Sequence, residues 1–286
     1  MSMRLNSGGI LINRKKRVGF TFDGKRLFGY SGDTLASALL ANDQVLLGRS
    51  FKYHRPRGIV ASGSEEPNAL VGLGKNSRFE PNQRVTTTAL FEGLQAKSQN
   101  RWPSLNFDVG ELNSLFSSFF PAGFYYKTFM HPRSWWKHIF EPVIRRSAGL
   151  GKAPYSADAD RYEHFYYHTD VLVVGAGIAG LEVAYNLAKS GAKILLIEQA
   201  SYLGGRSIVD EFSINNGNSA GWIKDIETEL SGFENVKIRT STMASGVYDH
   251  GYVLAYEQVA DHSPGNGQPR HRLWRIRAKR VVTATG

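Results

Sequence analysis

Residues 170–198 constrain the fold of this chain more than any other stretch. An apolar run, Val171–Val174, precedes the glycine-rich segment 175–180, and a second apolar run extends from Ile194 to Glu198. Between them, apolar residues recur at helical spacing over 181–190. A short Val-rich run is typical of a strand buried on both faces. The stretch therefore predicts a strand, a glycine-rich turn, a helix and a second strand, in that order.

The glycines of this segment, Gly-Ala-Gly-Ile-Ala-Gly, have separate predicted tasks. Gly175 permits a tight turn, Gly177 lets backbone N–H groups approach a pyrophosphate, and Gly180 lets the helix lie close to the sheet. Glu198 follows Gly180 by eighteen residues, where a carboxylate accepts hydrogen bonds from ribose hydroxyls. A GxGxxG pattern by itself also fits a purely structural turn. Its position between a predicted strand and a predicted helix favours a dinucleotide site.

Length and composition exclude several classes of protein. A chain of 286 residues with 42% hydrophobic residues is long enough for about two globular domains. The absence of cysteine excludes disulfides, thiolate zinc sites, a cysteine nucleophile and cysteine-ligated iron–sulfur clusters. The longest uncharged run, 112–126, is too short for a membrane span, and residues 1–9 lack a signal core. We therefore expect a cytoplasmic protein without a metal site.

The net charge of +10 is unevenly distributed. Residues 1–57 are rich in Lys and Arg but contain only three acidic residues, Asp23, Asp33 and Asp43. Such a surface attracts nucleic acid, an acidic partner subunit or a phosphate-bearing ligand. Because no nucleic-acid-binding signature accompanies the charge, we expect no nucleic-acid partner.

The first 97 residues predict a small β-grasp domain. Asp23-Gly24 separates two alternating runs and is typical of a two-residue hairpin turn. Residues 31–34, Ser-Gly-Asp-Thr, offer helix-capping oxygens before an apolar helical pattern. Short strands are expected between residues 69 and 90, including the β-branched run Val85–Ala89.

A basic run with interleaved aromatic residues occupies positions 48–58. Pro56 and Gly58 favour a loop. Two interpretations remain open, an interdomain contact and a phosphate or anion site.

Residues 98–168 form a predicted helical and linker segment rich in aromatic side chains. A density this high is typical of a core or an interface. We expect residues 149–156 to link it to the next domain. The aromatic residues are Phe116, Phe119, Phe120, Phe124, Tyr125, Tyr126, Phe129, Trp135, Trp136 and Phe140.

Residues 169–286 predict the first part of a Rossmann-like domain. After Glu198, Gly204-Gly205 can bring the backbone back to a cofactor or can form a simple turn, and Arg206 can face a phosphate. A helical stripe over 222–230 precedes a third strand, Val236–Arg239, a meander over 247–276 with a loop at 262–270, and a last strand at 281–286. The last strand ends in Ala-Thr-Gly, which is where the chain of a two-dinucleotide flavoprotein returns to the cofactor before its second domain begins. We therefore expect an incomplete sheet and a fragment.

Several motifs resemble the alpha subunits of heterotetrameric sarcosine oxidases. They are the helix start 32–35, the basic run 48–58, the string Gly-Phe-Tyr-Tyr-Lys-Thr-Phe-Met at 123–130, Glu141-Pro142, Ala-Gly-Leu-Gly at 148–151 and the nucleotide fingerprint. They cover nearly the whole chain, whereas proteins of this family are much longer. The resemblance implies a ferredoxin-like β-grasp domain without a cluster, followed by an incomplete FAD/NAD(P)-binding domain.

The resemblance also implies the ligands. In the family, the alpha subunit binds NAD, FAD lies in the beta subunit, and FMN lies at the alpha–beta interface. Sarcosine and tetrahydrofolate are handled elsewhere in a complex of alpha, beta, gamma and delta subunits, so no catalytic residue is expected in this chain. The implied cofactor contacts are Gly175, Gly177, Ala179, Gly180, Glu198, Gln199, Gly205, Arg206, Ala244 near the adenine, and Gly286.

Two other functions remain open. Relatives with the same N-terminal domain, among them hydrogen cyanide synthase and opine-oxidising dehydrogenases, can hold a two-iron cluster on cysteines in the loops after the basic run. This chain offers Ser62, Gly63 and Ser64 in that region and has no cysteine. An FAD-binding subunit of that type is the first alternative, although it lacks the cluster cysteines. A non-catalytic assembly module with a structural nucleotide is the second.

Overall fold

The computed structural model describes residues 3–119, 123, 131–147, 151–210, 213–214, 217–261 and 267–286. The chain divides into two compact units, Met1–Ala159 and Asp160–Gly286. Each unit has its own hydrophobic core. The domain boundaries predicted after residues 97 and 168 stay predictions.

The first unit is built on a five-stranded sheet that packs against one helix. In chain order it contains β1 (Asn13–Phe22), β2 (Lys25–Ser31), α1 (Leu35–Ala41), β3 (Gly48–Arg49), β4 (Pro56–Arg57), β5 (Leu70–Leu73), β6 (Glu80–Arg84) and β7 (Leu94–Ser98). The sheet order is β2-β1-β7-β5-β6, and β3 and β4 form a separate ribbon. Strands β1 and β7 are parallel, whereas the other sheet neighbours are antiparallel. This is the predicted β-grasp arrangement.

The start of this unit follows the sequence signals closely. Asp23 and Gly24 have φ values of 48° and 81°, as a two-residue hairpin turn requires. Thr34 caps α1 by accepting a hydrogen bond from the Ser37 amide, and the Ser37 side chain accepts one from the Thr34 amide. Leu35 and Leu39 are fully buried against the sheet. The predicted hairpin and helix start are both confirmed.

The second half of the sheet differs from the prediction. Strand β7, which lies between β1 and β5, was not expected from the sequence. The predicted β-branched strand Val85–Ala89 is wrong, because residues 85–87 form a turn and Ala89 makes only an isolated bridge to Thr34. The hydroxyl of Thr88 donates to the Arg84 carbonyl at 2.8 Å. Such local hydroxyl-to-backbone bonds compete with strand pairing.

The segment after β7 contains short helical turns. They are Val109–Ser114, Ser117–Phe119, α2 (Arg133–Trp135), a π-helical turn Trp136–Phe140, and α3 (Glu141–Ser147). Phe116, Trp135 and Trp136 are 54%, 50% and 37% exposed. Burial of these three rings in a core is therefore wrong, whereas the interface alternative stays a prediction.

The second unit contains a six-stranded mixed sheet. Its elements are β8 (Tyr162–Val174), α4 (Ile178–Ala188), β9 (Ile194–Ile197), β10 (Ser213–Ile214), β11 (Gly217–Asn218), α5 (Ser219–Ser231), β12 (Val236–Arg239), β13 (Thr242–Tyr248), β14 (Tyr252–Gln258) and β15 (His271–Thr283). The sheet order is β12-β9-β8-β15-β14-β13, and β10 and β11 form a separate ribbon. The first four strands are parallel to one another, whereas β14 pairs antiparallel with both β15 and β13. The predicted Rossmann-like strand–helix–strand unit is confirmed.

Side chains of the central strands alternate between two cores. Val171 and Val173 pack with the two helices, whereas Leu172 and Val174 pack on the opposite face with Trp274. All four residues of β9 are buried. Burial on both faces explains why these strands have continuous apolar runs.

Two strands are longer than expected. Strand β8 begins at Tyr162 rather than near Val171, and the predicted end of the meander and the predicted last strand form one strand, β15. The two strands pair in parallel from His271 opposite Tyr162 to Thr283 opposite Val174. Each strand therefore supplies hydrogen-bond partners for the polar half of the other strand. These polar halves lack the apolar run by which a buried strand is predicted from sequence.

Several predicted features lie outside the described residues. They are residues 124–130 of the aromatic string, Phe120, residues 148–150 of the linker, and residues 262–266 of the predicted loop.

Candidate dinucleotide-binding site

Two glycines of the glycine-rich turn are required by close contacts. Gly175 has φ of 98°, and a Cβ atom there would lie 2.3 Å from the Ala284 carbonyl oxygen. A Cβ atom on Gly180 would lie 1.9 Å from the Gly175 carbonyl oxygen. Real atoms never approach so closely, so any side chain at either position displaces the backbone of the glycine-rich turn or of the chain that follows β15.

Gly177 differs from its two neighbours in the motif. It is the N-cap residue of α4, with extended backbone, and a Cβ atom there would meet nothing within 4 Å. The first N–H groups of a helix have no partner within the helix and carry partial positive charge. Gly177 therefore leaves open space at the helix end where an anionic group would be bound. Ala179, in the first helical turn, is exposed.

Glu198 follows β9 and binds the glycine-rich turn directly. Its Oε2 accepts a hydrogen bond from the Ala176 amide at 2.7 Å, and its Oε1 accepts one from the Ala200 amide at 2.8 Å. The residue is only 7% exposed. A carboxylate offers about four acceptor positions. Glu198 therefore holds the turn, and the described residues fill about half of its acceptor positions.

The second glycine pair lies against the first turn. The Gly204 amide donates to the Ala176 carbonyl at 2.7 Å, and a Cβ atom on Gly205 would lie 3.5 Å from the Gly177 Cα. Gly204 adopts φ of 98° and starts a short helical turn, Gly205–Ile208. The Arg206 side chain is 85% exposed and lies 3.6 Å from Asp210. Its guanidinium is therefore in solvent, one residue beyond the point where the two loops meet.

The remaining predicted residues lie at the edge of this region. The Thr242 amide donates to the Glu198 carbonyl, which brings the start of β13, and hence half-buried Ala244, beside the acid. The Ala284 amide donates to the Val174 carbonyl, so the chain reaches Gly286 next to the glycine-rich turn. Gln199 is exposed beside Glu198.

The sequence did not predict the backbone amides of Ala176 and Ala200 as partners of Glu198. The only signal for them is the position of the acid after the second parallel strand, because neighbouring parallel strands end at the same edge of a sheet. The groups at this edge of the sheet are backbone amide donors, the N-terminus of α4 and the Glu198 carboxylate. We call this carboxylate half-occupied, because backbone amides fill about two of its four acceptor positions. The assignment of the ten predicted residues to a cofactor stays a prediction.

The basic run folds back on the first unit. Arg49 is buried and donates to the Leu105 carbonyl, while its Nη1 lies 3.1 Å from Glu111. The His54 Nδ1 lies 2.6 Å from the Oδ2 of Asp108. These two side chains therefore pack on residues 105–111 of the same unit, and the anion-site interpretation is wrong for them.

Two further observations concern metals and membranes. Among the described residues, no group of three His, Asp or Glu side chains is placed to hold a metal ion. Within the same residues, no helix has the length and apolar character needed to cross a membrane.

Two sequence families match parts of the chain. Residues 15–101 match a 2Fe-2S iron–sulfur cluster binding domain, and residues 173–224 match an NAD(P)-binding Rossmann-like domain. Together with the strand order described above, these matches establish the predicted fold of both units. The fold of L-proline dehydrogenase from P. horikoshii is also similar, with a TM-score of 0.56 and 22% identity over 98% of this chain and 43% of that chain.

Curated relatives match the chain from end to end. Sarcosine oxidase subunit alpha of Rhizobium meliloti (strain 1021) is 50% identical over 100% of this chain and 29% of the relative. The subunit of the same name from Corynebacterium sp. (strain U-96) is 34% identical over 98% of this chain and 25% of the relative. The chain thus spans less than a third of their length. The predicted resemblance is confirmed: the chain is related along its whole length to the N-terminal part of sarcosine oxidase alpha subunits.

Proposed function

We propose that the second unit binds the adenosine diphosphate half of a dinucleotide at the glycine-rich turn, and that this dinucleotide is NAD. The observation that carries the proposal is the half-occupied carboxylate of Glu198 beside the open space at Gly177. The pyrophosphate would lie at the N-terminus of α4, and the ribose hydroxyls would donate to the remaining acceptor positions of Glu198.

The roles of the other residues follow from their positions. Gly205 lies against Gly177 and would bring its backbone to the pyrophosphate, with Arg206 directed to the same phosphates from solvent. Ala244 would border the adenine, while Ala179, Gln199 and Gly286 would border the cofactor at the rim. A single acid favours NAD over NADP, because its charge repels a 2′-phosphate. No residue of this chain is proposed as catalytic.

We infer for the whole protein that it is the alpha subunit of a sarcosine oxidase. It would act with beta, gamma and delta subunits in the cytoplasm, oxidising sarcosine to glycine with release of hydrogen peroxide and of formaldehyde or methylenetetrahydrofolate. FMN and FAD would be bound in the assembled complex, and this N-terminal part alone would be inactive. The support is the identity to subunits of that name over the whole chain.

The deciding experiment is to identify the nucleotide released when the purified complex is denatured. Chromatography is expected to show NAD in one-to-one amount with this chain. FAD bound in this subunit would instead favour the opine-type alternative, and NADP would contradict the role of Glu198. A chain with no nucleotide would contradict the site itself.

A matched pair of variants connects the nucleotide to the turn. Gly177→Val fills the open space without a clash, so it should fold normally and lose the nucleotide. Gly217→Val is the control, because a Cβ atom there makes only ordinary contact, 3.5 Å from the Ile214 carbonyl oxygen, and the residue belongs to the β10–β11 ribbon rather than to the turn. Equal nucleotide content in the two variants would disprove the placement of the pyrophosphate.

A further inference from the structure

The match of residues 15–101 to a 2Fe-2S cluster binding domain conflicts with the composition of the chain. Two-iron clusters are held by four thiolates, or by two thiolates and two imidazoles. The chain contains no cysteine, so its residues do not fit a cluster.

The cluster spacing can be located in the loop before β5. Plant-type ferredoxins use the spacing C-x₄-C-x₂-C with a more distant fourth cysteine. In this chain Ala61, Glu66 and Ala69 have that spacing. The Ala61 and Ala69 amides both donate to the carboxylate of Glu66, at 2.7 and 3.0 Å. The residues at the first and third of these positions thus both bind the carboxylate of the residue at the second position.

A fourth position closes the same loop. Thr86, in the turn after β6, is 9% exposed, and its hydroxyl donates to the Gly63 carbonyl at 2.5 Å. The Arg84 Nε donates to the backbone carbonyl of Glu66 at 2.7 Å. The end of β6 and the turn after it therefore hold the loop, which makes Thr86 the candidate for the position of the fourth ligand.

The carboxylate of Glu66 is fully buried and fully used. Its Oε2 accepts hydrogen bonds from the Val60 and Ala61 amides, and its Oε1 accepts them from the Asn68 and Ala69 amides, all between 2.7 and 3.0 Å. These four bonds fill the acceptor positions of a carboxylate. Four donors that converge from both ends of a loop define its shape.

We propose that the carboxylate of Glu66 replaces the iron–sulfur cluster of this domain as the internal anion around which the loop 60–69 closes. Thiolate clusters and carboxylates are both anionic acceptors that bind backbone N–H groups. The β-grasp unit thereby keeps the shape of its loop without iron. It acts as a structural unit and does not carry electrons.

The first test compares two Glu→Gln variants of the full protein. Glu66→Gln turns one acceptor oxygen into a donor that faces two backbone amides. We expect it to lower the folding equilibrium constant of the first unit by about tenfold to a hundredfold. Glu65→Gln makes the same change at the exposed neighbouring residue and should have no effect. Equal chemical denaturation midpoints for the two variants would overturn the proposal.

The second test restores the thiolates. The variant Ala61→Cys/Glu66→Cys/Ala69→Cys/Thr86→Cys is incubated anaerobically with ferric iron and sulfide, and bound iron, sulfide and visible absorbance are measured. We expect about two irons and two sulfides per chain, as in plant-type ferredoxins. The control carries Ser62→Cys in place of Ala61→Cys, which shifts one ligand by a residue, and should retain little iron.

Each other result contradicts the proposal. Equal iron in the four-cysteine variant and the shifted control would show that the spacing does not define a site. A four-cysteine variant that stays unfolded in iron and sulfide would show that a cluster and the carboxylate are not interchangeable in this loop.

Discussion

Glu66 in the first unit and Glu198 in the second are both buried carboxylates that bind backbone amides, but they differ in how many they bind. Glu66 accepts four N–H bonds, two on each oxygen, whereas Glu198 accepts two, one on each oxygen. A carboxylate has about four acceptor positions. Glu66 is therefore complete within its own chain, whereas Glu198 has capacity for a further donor.

The surrounding loops differ in the same direction. The loop around Glu66 closes on the carboxylate, so its converging amides are already paired. The turn at Gly177 has open space beside the N-terminus of α4, which favours an external anion. The comparison indicates that a carboxylate whose acceptor positions are all filled by backbone amides stabilises the fold. A carboxylate with unfilled positions beside an open helix N-terminus is suited to bind an external ligand.

The largest expected effect separates the glycines that hold the fold from the one that leaves space. Gly180→Val places a side chain 1.9 Å from the Gly175 carbonyl oxygen, and it should destabilise the second unit by more than about 4 kcal/mol. Gly177→Val should unfold at nearly the temperature of the nucleotide-free wild type, since it loses only the stabilisation that bound nucleotide provides. Calorimetry of both variants checks this, and similar losses of stability would remove the distinction between the two positions.

The second effect concerns the free acceptor positions of Glu198. Glu198→Gln removes the charge that would bind ribose hydroxyls and turns one oxygen that accepts a backbone N–H into a donor, so NAD affinity should fall about tenfold to a hundredfold. The preference for NAD over NADP should fall with it, because the repulsion of a 2′-phosphate is lost. Titration calorimetry measures both. Glu227→Gln, on the exposed face of α5, is the control, and an equal response of both variants would contradict the role of Glu198.

The third effect is a pH dependence of the first unit. Burial raises the pKa of Glu66, but its four backbone N–H bonds together lower the pKa by a larger amount. The net pKa therefore lies below its ordinary value of 4.5. The stability this provides is present above the unfolded pKa and is lost as pH falls through the folded pKa.

Unfolding of the first unit measured from pH 6 to pH 3 should therefore show a loss of stability below about pH 4.5 that Glu66→Gln reduces. Glu65→Gln should leave the profile unchanged. Parallel profiles for Glu66→Gln and the wild type would mean that the buried carboxylate contributes nothing to acid stability.

The smallest effect belongs to Arg206. Its side chain is 85% exposed and close to Asp210, so solvent and salt weaken its attraction to a phosphate. Arg206→Gln should reduce NAD affinity by no more than about fivefold, and the difference should shrink at high salt. Lys224→Gln, an exposed cation on α5, controls for net charge. A loss comparable with that of Glu198→Gln would give Arg206 a larger part than its exposure predicts.

The sequence predicts the parts of this protein that depend on neighbouring residues. The hairpin at Asp23-Gly24, the cap at Thr34 and the glycine-rich unit before Glu198 follow from local conformational preferences and short apolar patterns. The positions of the predicted nucleotide residues also follow, because strands in a parallel unit end at one edge.

Only the tertiary structure decided the features that depend on distant partners. Strand β7 and the polar halves of β8 and β15 form because remote segments pair with them, and the turn at residues 85–87 is held by the bond of Thr86 to the Gly63 carbonyl. The different occupancy of Glu66 and Glu198 is equally invisible in the sequence. A glutamate has the same acceptors wherever it occurs, and the backbone amides that fill them come from wherever the folded chain places them.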